Sequence, residues 1–536
     1  MADCRASLLI VAWSLAALEL TGCPGAAPET RLCTSDAECN SPFLCVYGAC
    51  YDPSSAALQR ISLEVAPPTS ASMPPQQFRD FVVSGQARSD VVLARAIDVY
   101  CATQDHGSAA LPALLTAQTS NDIPGRPLRV DERTDQNGRA VIALTVGRSY
   151  GLRVLPDDAA IVPFSPDPIF ANDDVAGPLN GQTLTAPDPA DLMTISGRTV
   201  VSQQDPQGVP DLRVQLLGLV GSPAELRVVS TTAISSTTDG SFQLLLPRAA
   251  NSGLQLRVAP TQSNPYWPIV VKSGLNFSSD TDLGLVELGN VTTPIAVSGN
   301  VNGPQGPVDG ATVTFIGTVG AGSYSATAVT QADGRYQIDL LPGSYRAVAV
   351  PPIASSAALT ETAEAVAIDV APIGTARVDF TASRRASLSG TVTDASGLAI
   401  ASATVRATRI GNVAGALGPG DAVRLVFETG TDSGGRYQLA VDPGQFEFAV
   451  IPAPSSVNPR RTDLMAVAGD DLVHDVQLYQ PAPFGGRVVT DAAAAPMVDA
   501  LVRAYLVLDA QQAVLVGEEA TDSAGQFNLV LPLFER

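Results

Sequence analysis

Long stretches of this chain alternate apolar and polar residues with a period of two. Phe242, Leu244 and Leu246 share one face, as do Tyr336, Ile338 and Leu340, Tyr437, Leu439 and Val441, and Phe527, Leu529 and Leu531. Gln243, Gln337, Asp339, Gln438 and Asn528 point mostly the other way. That is the period of a half-buried β-strand. Each of these strands follows the same punctuation, an Asp and then a Gly. The copies are Thr134-Asp135-Gln136-Asn137-Gly138, Thr238-Asp239-Gly240, Ala332-Asp333-Gly334, Thr431-Asp432-Ser433-Gly434-Gly435 and Thr521-Asp522-Ser523-Ala524-Gly525. Asp bonds its own backbone and Gly accepts positive φ, so the pattern predicts a hairpin turn. A second alternating strand follows a Gly or Pro-Gly turn, with Leu254, Leu256 and Val258 or Phe446, Phe448 and Val450 on one face.

An earlier mark opens each unit, an apolar residue before Ser-Gly or Gly-Gly. It occurs as Val83-Ser84-Gly85, Ile195-Ser196-Gly197, Val297-Ser298-Gly299, Leu388-Ser389-Gly390 and Phe484-Gly485-Gly486. The marks recur about every 90 to 110 residues, which makes the chain a repeat protein. Many short strands at that repeat length predict antiparallel β-sandwiches. Outside the first 22 residues no segment carries a helical stripe.

The combined pattern, from Ser-Gly-x-Val through Gly-Ala-x-Val and Thr-Asp-x-Gly-x-Tyr/Phe to Leu-Pro-Gly-x-Tyr, resembles the carboxypeptidase regulatory-like domain. Leu341-Pro342-Gly343-Ser344-Tyr345 and Asp442-Pro443-Gly444-Gln445-Phe446 carry its hairpin. The resemblance implies an all-β fold: tandem Greek-key sandwiches of the transthyretin (prealbumin) type, in a group of folds described as carbohydrate-binding-like. The expected units are 62–185 (divergent), 195–290, 297–383, 388–480 and 484–536. The last unit stops after the strand at 527–531, before its hairpin partner. Such a unit has an open edge and an exposed core. Truncation of a longer chain is the favoured explanation, and completion by another strand is the alternative.

The N-terminus changes the picture. Arg5, an apolar run over residues 8–18 and Leu20-Thr21-Gly22-Cys23 resemble a bacterial lipoprotein signal peptide, despite Glu19. The run is too short to span a bilayer stably. The resemblance implies cleavage after residue 22 and lipid on Cys23, hence export and a membrane partner. An ordinary secretory signal is the competing reading. Pro24 in place of Asp implies outer-membrane sorting, with surface exposure open. Residues 23–58 then form a lipidated linker and a cysteine-rich stem. Cys33, Cys39, Cys45 and Cys50 lie in the spacing C-x5-C-x5-C-x4-C. A segment this small needs staples, and an oxidising compartment makes them disulfides, with connectivity open. A zinc site competes poorly, because no C-x2-C pair or histidine lies near. Cys101 is left over and expected to be a buried free thiol.

Net charge is −21, which disfavours nucleic acid and anionic lipid as partners. Of 32 basic residues only Lys272 is a lysine, so a lysine-based isopeptide lock cannot recur from unit to unit. The chain has two histidines, His106 and His474, far apart and both expected at the surface. Neither belongs to a metal or triad spacing, and no nucleophile elbow, zincin or phosphate-loop motif occurs. No enzyme activity, cofactor or metal is expected. The acidic pairs Asp157-Asp158, Asp173-Asp174 and Asp470-Asp471 lack the spacing of a calcium loop. Two functional readings remain. One is a lipid-anchored spacer or adhesion rod in the cell envelope, with another surface protein as partner. The other is a glycan- or polysaccharide-binding surface protein, with Tyr266 and Trp267 as its contact.

Overall fold

The computed structural model describes residues 44–46, 49–51 and 59–533, apart from 84–86, 205, 222–223, 249–250, 290–293, 363–365, 369–375, 414–417, 492–493 and 509–512. The described residues form strands joined by turns, with only short 3-10 segments. The fold is a tandem array of five β-sandwiches, each built on its own hydrophobic core.

The second sandwich shows the common plan. In one sheet Leu192–Val200 lies between Ser241–Pro247, antiparallel, and Thr281–Glu287, parallel. The facing sheet runs Glu225–Val228, Arg213–Val220, Asn251–Ala259, Val270–Phe277. The third and fourth repeat this around Ile295–Gly303 and Ala386–Thr393. The alternating residues read from the sequence fill the cores: Phe242, Tyr336, Tyr437 and Phe527 are all at most 5% exposed.

The opening glycines are explained by contact. Gly390 pairs with Tyr437 across the ladder, and the Tyr437 hydroxyl donates to the His474 carbonyl at 2.6 Å. A Cβ on Gly390 would sit 2.0 Å from that carbonyl oxygen. The space above the glycine is occupied by backbone, so no side chain fits there.

The turns close as expected. The Asp432 carboxylate accepts from the backbone N–H groups of Gly434 and Arg436, both at 2.8 Å, and Asp522 repeats this with Ala524 and Gln526. One recurring feature goes beyond the motif. A buried hydroxyl, from Thr134, Ser235, Thr330, Thr431 or Thr521, accepts a backbone N–H next to the second strand in each sandwich. The same hydroxyl donates to a nearby carbonyl, as Thr431 does to Ile400 at 2.7 Å.

The two end units differ from the boundaries expected. The first sandwich opens at Ala96–Gln104, which lies between Arg139–Thr145 and Gln182–Thr185. Residues 59–93 do not belong to it. Gln59–Ala66 pairs with Leu501–Val507, and Gln76–Val83 pairs with Gln59–Ala66. Ala87–Arg88 and Val91–Leu93 run parallel to Gln480–Thr490. These strands take the places of the hairpin partner and all that follows it in the fifth sandwich. The Val83-Ser84-Gly85 mark therefore opens no sandwich. The fifth sandwich is completed by other strands, as the second of the two expectations had it, and those strands belong to the same chain. Ile61, Leu63, Val65, Val83, Val91 and Leu93 enter a single core with Phe484, Phe527, Leu529 and Leu531.

This arrangement closes the array. The chain leaves the fifth sandwich at Leu93, enters the first at Ala96, and returns through the second, third and fourth at Gln480. Each junction carries contacts. Gln77, 2% exposed, donates to the Arg126 carbonyl at 2.9 Å and accepts from the Asp122 N–H at 2.8 Å, which seats a loop of the first sandwich on the fifth. Between the second and third, Ile269 and Ser323 exchange backbone bonds of 2.6 and 2.9 Å. Between the third and fourth, Arg385 and Asp442 form a buried ion pair at 2.9 Å, their side chains 2% and 0% exposed. Asp442 also accepts from the Leu359 N–H at 3.1 Å, and Arg385 donates to carbonyls of Pro352 and Ser355. Breaking such a pair leaves a buried charge and costs about 3–5 kcal/mol.

Candidate functional site

The sequence-derived candidates are scattered. Cys23, Cys33 and Cys39 lie outside the described residues. Cys45 and Cys50 are cross-strand partners in the small hairpin of Leu44–Val46 and Ala49–Tyr51. Cys101 is a free thiol, 3% exposed, and burial pushes its pKa up to about 11. It faces the first core as its alternation required.

Tyr266 and Trp267 sit in a bend beside Val270–Phe277. Trp267 packs against the second core, while Tyr266 is 44% exposed.

The histidines separate. His106 is exposed and its Nε2 lies 3.2 Å from the Asp188 carboxylate. His474 is not the solvent-facing residue expected. Its ring stands edge-on to Phe448 with centroids 5.2 Å apart. Its Nε2 is buried and has no hydrogen-bond partner among the described residues. Residue 474 alternates with Leu472, Val476 and Leu478 on the inward face, while Val473 is 72% exposed, so the alternation itself turns the imidazole toward the core. Among the described residues no group of three or more His, Cys, Asp or Glu could hold a metal ion. Asp157 and Asp471 instead pair with Arg133 and Arg384.

A substantial cleft among the described residues lies where no motif pointed. It measures about 880 Å³ and opens between the first and second sandwiches. One wall is the outer face of the sheet formed by Ala113–Thr119, Leu128–Arg133 and Ser149–Pro156. The other is the edge strand Glu225–Val228 with Leu217, Val220 and Arg257. Arg129, Arg153, Arg227 and Arg257 all line it. Arg153 donates to the Val228 carbonyl, which ties the two walls together. Burial first, then the charges of Arg227 and Arg129, hold the Arg153 pKa below its ordinary value. These arginines lie on alternating strands far apart in sequence, so their convergence is a product of the junction.

No protein-family description matches the chain, and no curated protein is similar to it. Solved structures with partial likeness include a streptococcal ancillary pilin, at 12% identity and a TM-score of 0.22, covering 54% of this chain and 98% of that one. The Bacillus anthracis TIE protein gives 10% identity and a TM-score of 0.16, covering 74% and 73%. GBS52, the minor pilin of Streptococcus agalactiae, gives 10% identity and a TM-score of 0.21, covering 34% and 95%. Overlap this slight says nothing about a shared activity.

Proposed function

We propose that this is a non-enzymatic protein of the cell envelope, exported and anchored by lipid on Cys23, that works as a binding or adhesion platform. The observation that carries the reading is the closure of the array, with residues 59–93 built into the sandwich of residues 480–533. An open row of sandwiches gains length with each unit. A row whose two ends meet gains fixed surfaces and fixed clefts between units. It suits presentation of binding surfaces better than reach. The cysteine stem and lipid then serve to hold the platform at the membrane, with the outer membrane as the proposed location.

The anchor is tested by labelling cells with a fatty-acid analogue. Wild-type protein should take up the label and Cys23→Ser should not; equal labelling would remove the lipoprotein reading. The platform is tested by screening the mature chain, with Cys23 replaced and disulfides intact, against envelope polysaccharides and surface proteins. A saturable hit supports it, and a blank from a folded sample counts against it.

Glycan binding at Tyr266 is a second reading, favoured by the exposure of that ring. Tyr266→Ala should abolish a glycan signal without loss of fold. Trp267→Ala should lower stability by about 3–5 kcal/mol or somewhat less, since its ring is only partly buried. A glycan signal that survives Tyr266→Ala removes this site.

A further inference from the structure

We infer that the cleft between the first and second sandwiches is a docking site for an acidic peptide segment carrying aliphatic side chains. The inference rests on the platform reading and names the chemistry of one of its surfaces.

The charge of the cleft opposes that of the molecule. In a chain of net charge −21, four arginines converge on one opening. Two are neutralised locally: Arg129 pairs with Asp131 at 2.7 Å, and Arg227 pairs with Glu225. Arg153 and Arg257 have no carboxylate partner among the described residues. Arg153 is half-buried, and the hydrogen bond its guanidinium makes goes to a carbonyl, that of Val228. A guanidinium drawn partly out of water with no carboxylate beside it gains from an anion that completes the site. Arginine forks match carboxylates in two-point geometry.

The remaining lining selects among anions. Leu114, Leu155, Leu217, Leu226, Pro166 and Pro168 give it apolar walls. Leu155 and Leu226 are 40% and 45% exposed, so they face the opening rather than a core. Among the described residues no aromatic ring lines the cleft, so a sugar ring finds no platform among them to stack on. Aliphatic side chains, by contrast, fit aliphatic walls. Among the described residues Glu225–Val228 is the edge strand of its sheet, paired on one side with Arg213–Val220. An extended peptide can add to such an edge, its carboxylates toward the arginines and its apolar side chains toward the leucines. The volume suits a few residues of such a segment.

The test uses the mature chain with Cys23 replaced and a fluorescent peptide that alternates Asp or Glu with Leu or Val, read by anisotropy. The expected result is saturable binding that weakens as salt rises. The same peptide with Lys in place of its acids should not bind. Arg153→Gln combined with Arg257→Gln should weaken binding by about tenfold or more. Leu226→Asp, which leaves those arginines in place and puts a carboxylate at the opening, should do the same. Unchanged binding in both variants overturns the proposal. So does tighter competition by a uronic-acid oligosaccharide than by unlabelled peptide, or an absence of binding by folded wild type. If the peptide fails while another envelope ligand binds, the cleft assignment falls and the platform stands. If no ligand of any class binds, both fall.

Discussion

Single side chains decide how these sandwiches respond to their surroundings, and His474 shows it most directly. Its imidazole lies in the fourth sandwich against Phe448, with Tyr437 bonded to its own carbonyl. Burial lowers its pKa, Asp463 and Asp475 pull the other way, and Arg461 adds to the lowering. The folded state therefore keeps the ring neutral where the unfolded chain, with a pKa of about 6.5, takes up a proton. Stability from this group is complete above that value and is lost as pH falls from it toward the folded pKa. The melting temperature of the fourth sandwich should drop between about pH 7 and pH 5. His474→Phe should flatten that part of the profile while leaving the response of the carboxylates below it. An equal drop in the variant would place the sensitivity elsewhere. By contrast, Asp471 is held at about 2 by its hydrogen bond to exposed Arg384, an arrangement open to solvent and worth little.

At the level of strands, most of the fold was legible because the repeating contacts are local. An Asp that bonds its own backbone, a Gly at positive φ and an alternating strand lie within a few residues of one another. Pattern reading needs no partner to find them. The glycines before the first strands were legible as marks but not as causes, since the groups that crowd them come from strands far along the chain. Gly486 shows the limit. A Cβ there would lie 2.0 Å from the carbonyl oxygen of Ser89 and 2.8 Å from the Phe527 ring. Nothing near Gly486 in sequence hints that residue 89 is its neighbour. Gly486→Ala should push the segment 87–93 away from Gln480–Thr490. It should lower the stability of the fifth sandwich by more than about 1 kcal/mol and speed proteolysis near residue 89. Gly485→Ala is the control, because its nearest atoms stand at 3.4 Å. Equal sensitivity of the two variants would argue against the pairing of the two segments. The arginine cleft was illegible for the same reason. Its members sit at exposed or half-exposed strand positions, where a lone Arg reads as ordinary surface.

The same separation in sequence governs the whole molecule. Residues 59–93 bring Ile61, Leu63, Val65, Val83, Val91 and Leu93 into the fifth core, each 0–2% exposed. Burial of side chains of this kind stabilises by roughly 1.5–3 kcal/mol each before conformational entropy is counted. The junction between the second and third sandwiches is weaker, with the paired backbone bonds of Ile269 and Ser323 and a contact of Ala321 with the Leu288 carbonyl. A cut there should not release the two halves. With a protease site placed at 290–293, the cleaved protein should elute as one species of unchanged size, because the fifth sandwich joins both fragments. Denaturant should then separate them in a single transition that depends on protein concentration. In a chain with residues 59–93 deleted, the same cut should yield fragments that elute apart. Separation of the full chain on cleavage would mean that the ends do not meet in one sandwich. It would also return the array to an open row, in which reach rather than fixed surface sets what the protein can do.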